Sequence, residues 1–180
     1  KQSFKKELKI HKDNILRAKA ILGYHELETF DFPDNKFDTV PLLDIIKIIE
    51  NIKNIFKPDI IFTHHGGDLN IDHRITYQSV ITATRPTIDE SVRLVLTFET
   101  LSGTEWIGSD SPHQFIPNTF VEINKKNLKS KIEAMECYEF ERRNSPHPRS
   151  KDSIRSKAVI RGSSSGFYLA ESFNVINFRF

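Results

Sequence analysis

The spacing of apolar residues divides the chain into alternating helical and strand-like stretches. Residues 3–22 place Phe4, Leu8, Ile15, Ala18 and Leu22 on one face of a predicted helix, and Gly23 supplies its C-terminal cap. Leu27 to Phe32 reads as a short strand, ended by the turn chemistry of Pro33-Asp34-Asn35. A second helix is predicted from Pro41, a residue suited to the first turn, with Asp44 complementing the helix dipole. Its buried stripe is Leu42, Ile45, Ile46, Ile49, Ile52 and Phe56, and Lys57-Pro58 closes it. The strand Asp59 to Thr63 follows, then a third helix from about Asp72 to Arg85 that packs Tyr77, Val80 and Ile81 and stops before Pro86.

Further along, Val92 to Glu99 and Thr119 to Ile123 read as strands on either side of an irregular loop around Trp106. Asn124 caps a helix predicted through Phe140, with Leu128, Ile132 and Met135 inward. Ser145-Pro-His-Pro-Arg-Ser150 is a stiff connector, and Ser150 caps a further helix to Arg161. The end, Phe167 to Phe180, is apolar and β-like in its last half. Strand and helix alternate for most of the length, which predicts a single α/β domain with a mostly parallel sheet flanked by helices.

Composition narrows the function classes. Twenty-six basic against 24 acidic residues leave no overall field favouring nucleic acid, and no nucleic-acid motif is present. One cysteine, Cys137, excludes an internal disulfide and fits a reducing, cytoplasmic location. It falls near apolar positions of the helix after Asn124 and reads as structural. No apolar run approaches the roughly 20 residues that span a bilayer. The opening Lys-Gln-Ser-Phe-Lys-Lys-Glu does not read as a signal peptide, and the lack of an initiating Met leads us to expect that the natural chain starts earlier.

The chemistry concentrates at one strand end. Ile60, Ile61 and Phe62 lead directly into Thr63-His64-His65-Gly66-Gly67-Asp68, then Asn70 and Asp72-His73. In open α/β sheets ligands bind beyond the carboxyl ends of the strands. His73 falls in the first turn of its helix, where partial positive charge keeps an imidazole neutral, the state a metal requires. Asp72 is favoured by the same dipole and can orient a ligand. Asp68 and Asn70 stand where helix caps stand, and Gly66 and Gly67 allow a sharp turn and a close approach. A single histidine ending a strand needs no ligand to explain it. Three histidines and two aspartates within ten residues of a strand end point to a metal site, and say nothing about substrate.

These residues resemble the PIG-L/LmbE family of zinc-dependent de-N-acetylases, which remove acetyl groups from amino sugars. The likeness is carried by Lys57-Pro-Asp-Ile-Ile-Phe-Thr-His64, Asp68-Leu-Asn-Ile-Asp-His-Arg74 and Thr82-Ala-Thr-Arg-Pro86. Phe30-Asp-Phe-Pro-Asp-Asn35, Pro146-His-Pro-Arg-Ser150, Arg161-Gly162 and Ala170-Glu-Ser-Phe173 extend it along the chain. The resemblance implies a Rossmann-like fold, zinc or another divalent metal as cofactor, and His73 as a metal ligand. It also implies a small-molecule N-acetylated sugar as substrate, whose acetamide is attacked by metal-activated water. Asn70, where many members have His, would face the substrate or the oxyanion, and Asp72 would support the metal.

The family's amino-terminal Ala-His-Pro-Asp-Asp-Glu motif, which supplies the other two ligands and the general base, is not in this sequence. The expectation is that this is a fragment, or is preceded by a further segment. Other candidates carry a plainer reading beside the functional one. His64 can face substrate or merely end its strand. His147 and Arg149 can contact a sugar hydroxyl or an anion, whereas Pro146 and Pro148 also simply stop helices. Trp106 can stack on a sugar face or pack. Arg142, Arg143, Arg149, Arg155 and Arg161 suit a phosphate-bearing substrate or an ordinary exposed helix face. Gly162-Ser-Ser-Ser-Gly166 lacks the grammar of a phosphate loop. The alternative function is a non-catalytic metal- or sugar-binding α/β module.

Overall fold

The computed structural model describes the backbone of residues 2–179 and the side chains of residues 7–179. Phe4 of the first predicted stripe and Phe180 of the last lie outside those described side chains. The elements are α1 (Gln2–Leu22), α2 (Leu42–Phe56), β1 (Ile60–His64), α3 (Ile71–Ala83), β2 (Leu94–Phe98), β3 (Thr119–Glu122), α4 (Lys125–Glu136), α5 (Lys151–Ser163) and β4 (Ala170–Phe178). A short 3-10 turn spans Phe37–Thr39. The four strands form one sheet in the order β1-β2-β4-β3.

The α/β class holds, but the expected parallel sheet is mixed. β1 pairs parallel with β2, Ile60 facing Leu94 through His64 facing Phe98. β2 pairs antiparallel with β4, with a register shift between Val95 and Leu96. Each predicted βα step gives a parallel neighbour only when a crossover returns the chain to the same end of the sheet. β4 instead enters beside β2 from the opposite end. Leu27–Phe32, expected as a strand, is assigned to no strand and pairs with none among the described residues. Its alternating pattern suits a strand, yet a strand exists only where a neighbour accepts its hydrogen bonds.

The chain divides into two compact units, residues 1–29 with 121–171, and residues 30–120 with 172–180. In the first, Ala18 of α1 packs with Ala134 and Cys137, and Tyr138 covers them. Gly23, at φ +76°, ends α1 by donating its N–H to the Lys19 carbonyl at 2.8 Å, the predicted cap. α4 stops at Glu136, short of the predicted Phe140, because Cys137 and Tyr138 turn to i−3 carbonyls. Asn124 caps it with a capping box, and Ser150 caps α5 by accepting from the Ser153 N–H.

The second unit is built on Val80, Val92 and Val95, with Ile49, Ile61 and Ile81 against them. Of the predicted α2 stripe, Ile45 and Ile46 are buried, while Leu42 and Phe56 at the helix ends are exposed. Pro41 is the residue before the first turn of that helix, and Lys57 ends it in the left-handed conformation. Lys53 and Glu90, with side chains 12% and 2% exposed, form an ion pair in this unit.

Candidate active site at the end of strand β1

β1 delivers Thr63 and His64 at its carboxyl end, and the chain turns through six residues into α3. Two consecutive side-chain turns build that corner. The Asp68 carboxylate accepts the Asn70 N–H at 2.8 Å, and the Asn70 amide oxygen accepts the Asp72 N–H at 2.8 Å as the helix cap. Asp68 therefore acts one step before the cap it was expected to form. Arg74 locks the corner by donating to the carbonyls of Asp68 and Leu69 at 2.8 and 2.7 Å.

The corner sets three ionisable groups against each other. The rings of His64 and His73 stack, with centroids 4.2 Å apart and planes 15° from parallel. Nδ1 of His73 lies 3.1 Å from Oδ1 of Asp68, whose side chain is fully buried. Burial drives the Asp68 carboxyl up, but His73, the Asn70 N–H and Thr100 together outweigh it and hold the group below the usual carboxylate range. Desolvation, and then the neighbouring His73, push His64 down to about 4, so its ring is neutral at physiological pH.

Many polar atoms here are buried without an aligned hydrogen-bond partner. They are Thr63 Oγ1, His64 Nδ1, Asp68 Oδ2, His73 Nδ1 and Thr100 Oγ1, five of the nine such atoms among the described residues. Native folds rarely leave such groups unsatisfied, and where they do a ligand, ion or water is a standard explanation.

Asp72 and Asn70 also reach towards the loop before α2. The two carboxylate oxygens of Asp72 accept the N–H groups of Asn35 and Phe37 at 2.7 and 2.9 Å. The Asn70 amide donates to the Asn35 side chain at 3.1 Å. Asn35 holds a left-handed φ of 53°. The Phe30–Asn35 motif is thus anchored to the α3 corner through both candidates.

Gly66 and Gly67 have no positive φ; crowding explains them. A Cβ at Gly66 would lie 2.6 Å from the Tyr77 ring, and one at Gly67 would lie 2.1 Å from the His113 carbonyl. His65 makes a 2.8 Å contact to that same carbonyl through Nε2. Gly103, which the sequence reading missed, lies where an added Cβ would fall 2.5 Å from both Asp68 oxygens. Its signal was available, since Gly103 interrupts the loop directly after β2. Trp106 sits beyond it in the same loop and is half exposed.

His147 and Arg149 belong to the first unit. The Arg149 N–H donates to His147 Nδ1 at 3.1 Å, and its guanidinium pairs with Glu141. In that unit a cleft of about 620 Å³ is lined by residues including Arg142, Arg143, Lys151, Glu136 and Glu139. Its basic and acidic linings balance, which does not single out a phosphate.

A catalytic zinc takes three protein ligands and keeps one position open. Among the described residues no three His, Cys, Asp or Glu side chains are gathered as a metal requires. His73, a quarter exposed at the corner, offers one imidazole to a ligand, but the residues described do not fit a complete centre. No helix among the described residues is long and apolar enough to cross a membrane.

The PIG-L family model, GlcNAc-PI de-N-acetylase, matches residues 2–84, the stretch that includes this corner. No curated protein sequence matches the chain. Among solved structures, a conserved protein from Thermus thermophilus is similar with a TM-score of 0.70 at 18% identity, over 92% of this chain and 72% of that one. N,N'-diacetylchitobiose deacetylase from Pyrococcus horikoshii gives 0.70 at 15% identity, over 95% of this chain and 64% of its own. GalB, the 4-carboxy-2-hydroxymuconate hydratase of Pseudomonas putida, gives 0.68 at 18%, over 96% and 73%. The chain thus spans less than two thirds of the diacetylchitobiose deacetylase it resembles. The PIG-L/LmbE resemblance is borne out by the family match over residues 2–84; the motifs at 146–150 and 161–173 lie outside it. The structures establish the shared fold.

Proposed function

We propose that this chain is a de-N-acetylase domain, acting as an amide hydrolase on an N-acetylated amino sugar or its conjugate, with His73 as a zinc ligand. The observation that carries the reading is the set of orphaned buried polar atoms around His64, Asp68 and His73, gathered where the family match and the strand-end geometry coincide. Buried polar atoms without partners destabilise a fold by about 1–3 kcal/mol each, so their concentration at one corner is explained by a polar occupant.

Amide hydrolysis needs a water positioned on the carbonyl, a base, and donors for the developing oxyanion. Within this reading His73 faces the reacting group, and Asn70 and Asp72 hold the 34–37 loop beside it. Trp106 offers an aromatic face for a sugar ring. A second reading is kept because the GalB hydratase shares the fold, so the fold alone does not name the reaction.

The test is acetate release by the full-length natural protein from a panel of N-acetylated amino sugars, with and without chelator. Release that is lost on chelation and falls at least about 100-fold in His73→Ala supports the proposal. Zinc bound stoichiometrically, with no acetate from any substrate, sinks it in favour of a binding module.

A further inference from the structure

The Asp68 carboxylate is fully buried, yet among the described residues it makes no salt bridge to an arginine or lysine, and it caps no helix directly. It faces the Asn70 N–H, the main chain at Gly103, the Thr100 side chain and Nδ1 of His73. We infer that Asp68 and the ring of His64 are positioning residues that hold His73 as its Nδ1–H tautomer, with the Nε2 lone pair presented at the open side of the corner. The inference rests on the reading of His73 as the functional imidazole and adds which of its nitrogens does the work.

Two independent contacts restrain the ring. Stacking on His64 at 4.2 Å and 15° defines the plane of His73. Asp68 then decides which edge turns inward. A nitrogen lone pair 3.1 Å from a buried carboxylate oxygen is repelled by it, whereas an N–H in the same place is attracted. Nδ1 is closed to solvent and has no other partner among the described residues, so the proton has its best acceptor there. The carboxylate cannot swing aside. Its Oδ1 accepts the Asn70 N–H, and the Gly103 backbone sits where any side chain would collide with both oxygens. An imidazole whose Nδ1–H points to a carboxylate has a more basic, well-aimed Nε2, the arrangement that orients histidine for a metal or a proton.

The measurement is a long-range proton–nitrogen correlation spectrum of the histidine side chains in the full-length, metal-free protein, at a pH where His73 is neutral. The expected pattern is a pyrrole-type Nδ1 and an imine-type Nε2 for His73. The reverse pattern overturns the inference without any variant being made.

Asp68→Asn keeps at Oδ1 the one acceptor shared by the Asn70 N–H and His73 Nδ1, so fold and tautomer are expected to be retained. Asp68→Ala removes that acceptor and is expected to transfer the His73 proton largely to Nε2, with the fold checked by the backbone amide spectrum; an unchanged tautomer in the folded Asp68→Ala protein removes Asp68 from the role. His64→Ala is expected to broaden the His73 ring signals, and sharp, unshifted signals remove His64. A protein that shows the predicted tautomer but releases no acetate upholds this inference while the functional reading fails. Acetate release with the reverse tautomer does the opposite.

Discussion

Two clusters of buried charge lie in the second unit, and they are built on opposite principles. In one, Glu90 receives Lys53 on one oxygen and the Val92 N–H at 2.9 Å on the other. Lys53 also donates to the Ala83 carbonyl at 2.7 Å, and Arg179 donates to the carbonyls of Glu90 and Val92 at 3.0 and 2.6 Å. Of its ionised groups only Arg179 Nε lacks a bond. In the other, at the end of β1, His64, Asp68 and His73 each retain a buried atom without an aligned partner. A cluster so nearly saturated is a structural joint. An unsaturated one of comparable burial holds chemistry in reserve, because its missing bonds are available to something else.

Substitution should separate the two. The largest effect is expected from Glu90→Ala, which strands the Lys53 ammonium in a site only 12% exposed and costs about 3–5 kcal/mol of stability. Urea unfolding measures it, with acetate release per folded molecule unchanged. A loss below about 1 kcal/mol would erase the contrast. Gly103→Ala drives a methyl against the Asp68 carboxylate and is expected to cost about 1–3 kcal/mol, with activity lost beyond what unfolding explains.

His64→Phe keeps an aromatic ring on His73 but deletes the orphaned Nδ1, so stability should hold or rise by about 1 kcal/mol. A clear loss on thermal unfolding would mean that this nitrogen is satisfied after all.

The mildest perturbation is pH. His64 titrates at about 4 in the folded chain against 6.5 when unfolded, so the unfolded state binds more protons between those values. Stability is therefore expected to decline as pH falls from 6.5 towards 4, and His64→Phe should flatten that slope. The Glu90 joint behaves differently. Burial raises its carboxyl, but Lys53, the Val92 N–H and Arg179 overrule it and hold the group below 4.5. Its contribution is lost only as pH drops below 4.5. Coincident slopes in the wild type and the His64 variant would merge the two clusters into one kind.

Local rules explain what was legible in advance. Gly23, Asn124 and Ser150 cap where their chemistry predicts, since a cap depends on neighbours three or four residues away. The clustering of His64, Asp68, Asn70, Asp72 and His73 was equally readable, because one strand end and one helix start hold them within ten residues. Asp68 was misread as a helix cap. The groups that explain it, Gly103 and Thr100, come from a loop more than 30 positions away in the chain, which no local pattern reports.

Sheet direction, by contrast, could not be read from strand-helix alternation. The pairing of β4 between β2 and β3 is a long-range choice. So is the unpaired state of Leu27–Phe32, since a strand pattern records a willingness to pair and never the partner. What the amino acids alone determined, then, were the elements governed by nearby hydrogen bonds and the chemical inventory of the corner. Only the tertiary structure decided which buried atoms find partners, because satisfaction depends on side chains brought together across the fold. That decision is what distinguishes the Glu90 joint from the His73 corner.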